Sequence, residues 1–136
     1  MSSTNGLSTA DPFELPEWLG TVEVTWYAEA SERTGHFLRG HLLGGDEEHP
    51  CDLLAVDQAW PAPVADEQTR RAVHNAWRNG QVLLLDRDGR LVVAVPGTCF
   101  SADRVLEVLG RLAKAVGAQP EAFVAALRVG VVRGDD

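Results

Sequence analysis

Val82-Leu83-Leu84-Leu85-Asp86-Arg87-Asp88-Gly89-Arg90-Leu91-Val92-Val93-Ala94-Val95 is the stretch whose reading decides the fold. Two apolar runs flank a polar segment, 86–90, in which Gly89 can take the positive φ that closes a hairpin. Pro96-Gly97 stops the second run. Ser101 then caps a helix on which Val105, Leu106, Leu109, Leu112, Ala113 and Val116 recur at helical spacing, and Gly117 is placed to end it. Such a helix needs a sheet to cover. The hairpin strands themselves do not alternate: Leu83 and Leu85 face away from Val82 and Leu84, and Val92 and Ala94 face away from Leu91, Val93 and Val95. Both sides of this part of the sheet are therefore apolar, and something must cover the second side. Phe13, Leu15, Trp18 and Leu19 of the N-terminal segment are one cover. A second subunit docking on Leu83, Leu85 and Val92 is the other, and a twofold homodimer is the expectation.

Working outward, residues 21–30 alternate cleanly, with Val22, Val24, Trp26 and Ala28 on one side and Glu23, Thr25, Tyr27 and Glu29 on the other. A turn at 31–35 leads to a second strand, 36–43, antiparallel to the first because the connection is short. Residues 44–50 read as an acidic loop and 52–59 as a third strand, ended by Trp60-Pro61-Ala62-Pro63. Asp66 can cap a helix to about residue 79, with Val73, Ala76 and Trp77 on its apolar stripe. Pro120 opens a last short helix bearing Phe123, Val124 and Leu127, and Pro12 and Pro16 break the first apolar cluster into a short helix or turn. The order α-β-β-β-α-β-β-α predicts an α+β domain of two layers, a mostly antiparallel five-stranded sheet with helices on one face. Residues 1–11 read as a disordered arm, 12–130 as a single domain and 131–136 as a frayed tail.

At 136 residues and 45% hydrophobic content the chain is long enough for one core. A formal net charge of −8 argues against a nucleic-acid partner, since the basic residues are scattered among carboxylates. Eleven of the twelve basic residues are arginine, with Lys114 the exception, which is the usage of a high-G+C genome. The polar N-terminus has neither a basic start nor an apolar core segment of a secretory signal, and no apolar run approaches membrane-spanning length. A cytoplasmic protein with no membrane partner and free Cys51 and Cys99 thiols is expected.

From Leu53 onward the pattern resembles the bacterial YbjN-domain family, often labelled sensory transduction regulators. The resemblance is carried by Leu53-Leu54-Ala55-Val56 leading into Trp60-Pro61-Ala62-Pro63-Val64, by Ala72-Val73-His74-Asn75-Ala76-Trp77, by Leu84-Leu85-Asp86-Arg87-Asp88-Gly89-Arg90-Leu91, and by Phe100-Ser101-Ala102-Asp103 opening the helix. These stretches are spread over residues 53–103. The resemblance implies a fold like that of the type III secretion chaperones, which is commonly dimeric.

Candidate chemistry is sparse. His36, His41, His49 and Cys51 are all possible zinc ligands, but in a regular strand His36 and His41 point to opposite faces. Cys99 precedes a helix start, where a thiol can be activated, and His74 is the histidine that could reach it as a base. Asp86 with Asp88 and Glu47 with Glu48 sit in polar turns, where solvated carboxylates are ordinary. No phosphate-binding loop accompanies the glycines, and no cofactor is expected. Trp26 and Trp77 read as core, whereas Trp18 and Trp60, in proline-bordered segments, are candidates for a contact surface. The expected function is a non-enzymatic protein-binding module, chaperone-like or regulatory. The alternative is a small enzyme or a metal or ligand sensor using Cys99 and His74, or the histidines near Cys51.

Overall fold

The structure, a computed structural model, describes residues 7–29, 37–57 and 66–126. The hairpin is present: β6 (Leu83–Arg87) and β7 (Arg90–Pro96) pair antiparallel, with Arg87 opposite Arg90. Its connection is tighter than the five residues expected, just Asp88-Gly89, and both take positive φ, 57° and 79°. That is the geometry of a two-residue turn matched to strand twist. The Asp86 carboxylate steadies it by accepting from the Gly89 N–H at 3.3 Å. A Cβ at Gly89 would meet nothing within 4 Å, so Gly89→Val tests backbone strain alone. It is expected to cost about 1–2 kcal/mol, and an unchanged thermal midpoint would show that the turn tolerates another conformation.

The remaining strands are β1 (Ser8–Thr9), β2 (Val24–Ala28), β3 (Phe37–Leu38), β4 (Gly40–Gly44), β5 (Glu47–Val56) and β8 (Phe123–Ala126), with helices α1 (Glu67–Arg78) and α2 (Ala102–Ala115). They form one eight-stranded sheet in the order β1-β6-β7-β5-β4-β2-β8, with β3 also on β5. This corrects the five-stranded, mostly antiparallel expectation. The sheet is mixed, because β5 runs parallel to β7 and β2 parallel to β8. Three local readings account for the difference. The acidic loop expected at 44–50 is only a tight turn, and the ten-residue β5 begins at Glu47 and runs through Pro50. The short helix expected after Pro120 is a single 3-10 turn, Pro120–Ala122, followed by the extended β8. The arm expected over 1–11 contributes β1, which pairs Ser8 with Asp86 and Thr9 with Leu85, and it buries Leu7. The first helix is two 3-10 turns, Pro12–Glu14 and Glu17–Gly20.

The helices do not share a face. Val105, Val108, Leu109, Leu112 and Ala113 of α2 pack with Leu53, Ala55, Leu84, Leu91, Val93 and Val95. Val73 of α1 packs with the alternate residues Leu54, Val56, Leu85, Val92 and Ala94, joined by Leu7 and Phe37. The apolar second side of the hairpin is thus covered from within the chain. Leu85 and Val92, expected at a subunit contact, are buried within the chain, and Leu83, half-buried, packs at the edge of the same cluster. Leu15, Trp18 and Leu19 pack on the α2 side instead, and Phe13 is 95% exposed. Two-sided burial of this kind goes with parallel pairing, whose strands read as continuous apolar runs.

Candidate functional site: an open half of one sheet face

On the α1 face the apolar cover stops at a charged boundary. Asp52 sits in the middle of β5 and is 1% exposed. Its carboxylate accepts from Arg90 Nε at 3.0 Å and from Arg90 Nη2 at 2.7 Å, and it also accepts from the Gly40 N–H at 3.1 Å. Arg90 Nη2 further donates to Glu29 Oε2 at 3.1 Å and to the Gly40 carbonyl at 2.8 Å. The hydrogen bond to Asp52 holds the guanidinium proton more tightly than usual. A buried charge of this kind needs such saturation to be tolerated. On the opposite side of β5, burial pushes the Cys51 thiol up, with Asp52 adding to the effect, so the group stays a neutral thiol. The Cys51 carbonyl accepts from Trp26 Nε1 at 2.8 Å.

Beyond this boundary no helix among the described residues covers the α1 face, since α1 packs on β6 and β7. Strand alternation and the register of β2 with β4 and β8, and of β4 with β5, place Thr25, Tyr27, His41, Leu43, Glu48, Pro50, Val124 and Ala126 on it. Their neighbours along the strands, Val24, Trp26, Leu42 and Phe123, are buried on the other side under α2. Tyr27 is 37% and Val124 40% exposed. The Tyr27 and His41 rings stack with centroids 5.5 Å apart. His41 Nδ1 is buried without a hydrogen-bond partner, with Glu48 Oε2 3.9 Å away. The patch is partly aromatic and edged by carboxylates, which suits contact with another chain.

A second candidate lies on the α2 face at the hairpin end. A cavity of about 290 Å³ is lined by Ser8, Asp11, Glu14, His49, Asp86 and Leu91 among others. Burial lowers the His49 pKa from its usual value, partly opposed by Asp86. The folded protein therefore resists the proton that the unfolded chain accepts near pH 6.5. This contribution to stability is complete above that pH and is lost as pH falls from there toward the folded-state value. His49→Gln is expected to flatten the acid side of a thermal-midpoint profile over that window. Parallel profiles for the two proteins would show that His49 is solvated like a free imidazole.

The residues expected to form chemistry are not brought together. His41 and His49 lie on opposite faces of the sheet, since Leu42 is the residue paired with His49 and His41 is paired with Pro50. Cys51 is buried on the α2 side, and His36 lies outside the described residues. Among the described residues no group of three histidine, cysteine or carboxylate side chains could hold a metal ion. Cys99 is exposed just before α2, and His74 Nε2 on α1 is buried without a hydrogen-bond partner. Trp60 is outside the described residues as well. Trp18 is half-buried against Gly44 and the α2-side core, while Trp26 is fully buried. Trp77 is half-buried, with the Arg111 guanidinium 3.4 Å from its ring centre.

Sequence reasoning missed Asp52, Arg90 and Glu29. The available signal was Asp52 itself, a carboxylate between Cys51 and the apolar run of a buried strand, where a charge almost always has a partner.

Among the described residues, no helix is long and apolar enough to cross a membrane. No family model matches the chain, and no solved structure matches it. The chain is similar, at 35% identity over 114 residues, to a probable inorganic carbon transporter subunit DabA of Burkholderia multivorans; the aligned stretch is 78% of this chain and 13% of that protein's length.

Proposed function

We propose that the chain is a non-enzymatic, cytoplasmic protein-binding module, chaperone-like or regulatory in the way the YbjN-domain resemblance implies. It docks a partner on the open half of the α1 face. The observation that carries this reading is the half-exposed Tyr27, His41, Leu43 and Val124 patch, lying on a rigid sheet whose adjoining half is covered by α1. Large, stiff aromatic side chains at such a place contribute contact area with little ordering entropy. Similarity to a small portion of a much larger transporter subunit is in keeping with a module that works beside other chains.

A photo-reactive benzoylphenylalanine at position 124 tests the reading in the host cell, with the same group at the exposed Leu106 of α2 as control. A discrete cross-linked product from position 124 and none from 106 is the expected result. Equal, diffuse labelling from both would overturn it.

A further inference from the structure

We propose that the segment docking on the open half-face is an extended, lysine- or arginine-rich peptide with an apolar anchor, a partner chemistry that rests on the binding-module reading above. The argument is the distribution of charge. Residues 7–29 and 37–57, which supply β2, β4 and β5 of the open half, carry ten carboxylates and one cationic side chain, Arg39, which the β3–β5 and β4–β5 register places on the same face as His41. Residues 66–126, which supply both helices and the hairpin, carry seven carboxylates and eight cations. Of the ten, Asp11 and Glu14 line the α2-side cavity and Asp52 and Glu29 are held by Arg90, so the carboxylates left to the open half are those beside its strands, Glu23 and Glu48 with Asp46 and Glu47 at the turn.

On that side Glu48 is 59% exposed beside His41. Glu23 is exposed immediately before β2, and Asp46 and Glu47 are exposed at the β4–β5 turn. Arg90, the cation that reaches this face from the hairpin, is already committed to Asp52 and Glu29. Among the described residues, the apolar strip Tyr27, Leu43 and Val124 accordingly runs beside carboxylates, Glu23 and Glu48, that no lysine or arginine pairs. An extended peptide alternates its side chains with period two, so one set can lie on the strip while the flanking cations meet Glu23 and Glu48. Complementarity of this kind sets the choice of partner and the association rate more than raw affinity. It also disfavours a face-to-face second copy, which would oppose like charges.

The probe is a fluorescein-labelled peptide alternating leucine and lysine, with its leucine–glutamate counterpart as control, read by fluorescence anisotropy. Binding of the lysine peptide only is expected, weakening as salt is raised. Glu23→Lys with Glu48→Lys should weaken it roughly tenfold, as two exposed charge contacts would. Glu14→Lys with Glu17→Lys, the same change of net charge on the α2 side, should leave affinity within about twofold. Tyr27→Ala should weaken both the low-salt and the high-salt binding, because the apolar anchor is not screened. Thermal melts establish that each variant is folded; should the face variant unfold, hydrogen exchange of the unaltered protein replaces it, with protection of β2 and β4 by the lysine peptide as the expected result.

Equal loss in the two double variants, or no binding of the lysine peptide, overturns the proposal. So does light scattering that shows a concentration-dependent dimer dispersed by Glu48→Lys, because the occupant is then a second copy. A position-124 cross-link to a host protein without affinity for the lysine peptide overturns the cationic partner and leaves the binding module standing. Absence of both overturns the two together.

Discussion

Arg90→Ala is expected to destabilise the fold by about 3–5 kcal/mol, because it strands the Asp52 carboxylate in the sheet interior. Asp52 is 1% exposed and would keep one hydrogen bond, from the Gly40 N–H, after losing the guanidinium. The single change also frees Glu29 and leaves the Gly40 carbonyl without the Arg90 donor. A loss of this size is a large part of the stability of a small domain. Much of it is the penalty for an unpaired buried charge rather than the worth of the pair. The double change Asp52→Leu with Arg90→Met removes both charges and is therefore expected to recover most of the loss. Urea unfolding of the two singles and the double completes the cycle. A single-variant loss below about 1 kcal/mol would mean that water reaches Asp52 and that the boundary between the two halves of the face is solvated.

The same pair shows what could and could not be read from the chain. The hairpin, its glycine and α2 were legible because their signals are local: a turn residue with positive φ, a capping serine, apolar residues at helical spacing. The outward side of β2 was legible too, since Thr25 and Tyr27 alternate with buried Val24 and Trp26. What failed was everything fixed by which strands are neighbours. Asp52 and Arg90 lie 38 residues apart and meet only because Cys51 is paired with Leu91 and Asp52 with Val92. No local pattern encodes that pairing. The stripe of Val73, Ala76 and Trp77 predicted a helix but not the face it would cover, so the two-sided apolar hairpin read as an interface when it was the mark of a strand buried between layers. Phe123-Val124-Ala125-Ala126 is too short for periodicity to separate strand from helix, and pairing with β2 decided it. His41 drew attention as a metal ligand, whereas its place beside Tyr27 on an uncovered face depends on the β2–β4 register.

The close approach of Gly40 to Trp26 carries the second large effect. Trp26 is fully buried, spans the α2-side core and hydrogen-bonds the Cys51 carbonyl. Its ring lies directly against Gly40 of the neighbouring strand, where an added Cβ would collide with the indole and stand 2.6 Å from the Tyr27 carbonyl oxygen. Trp26→Ala is expected to cost about 3–5 kcal/mol through the cavity it leaves. Gly40→Ala alone is expected to cost about 1–3 kcal/mol, since the indole must shift within a packed core. The two should not add. With the indole gone, only the approach to the Tyr27 carbonyl oxygen opposes the new methyl group, so the second substitution is expected to lose the ring's share of its cost and keep the part set by that backbone contact. Chemical denaturation of the singles and the double measures the coupling directly. Additive losses would mean that the Tyr27 backbone, and not the Trp26 ring, is what requires glycine at position 40. Because Tyr27 stands on the open face directly beyond that contact, additivity would also predict that Gly40→Ala displaces the docking strip.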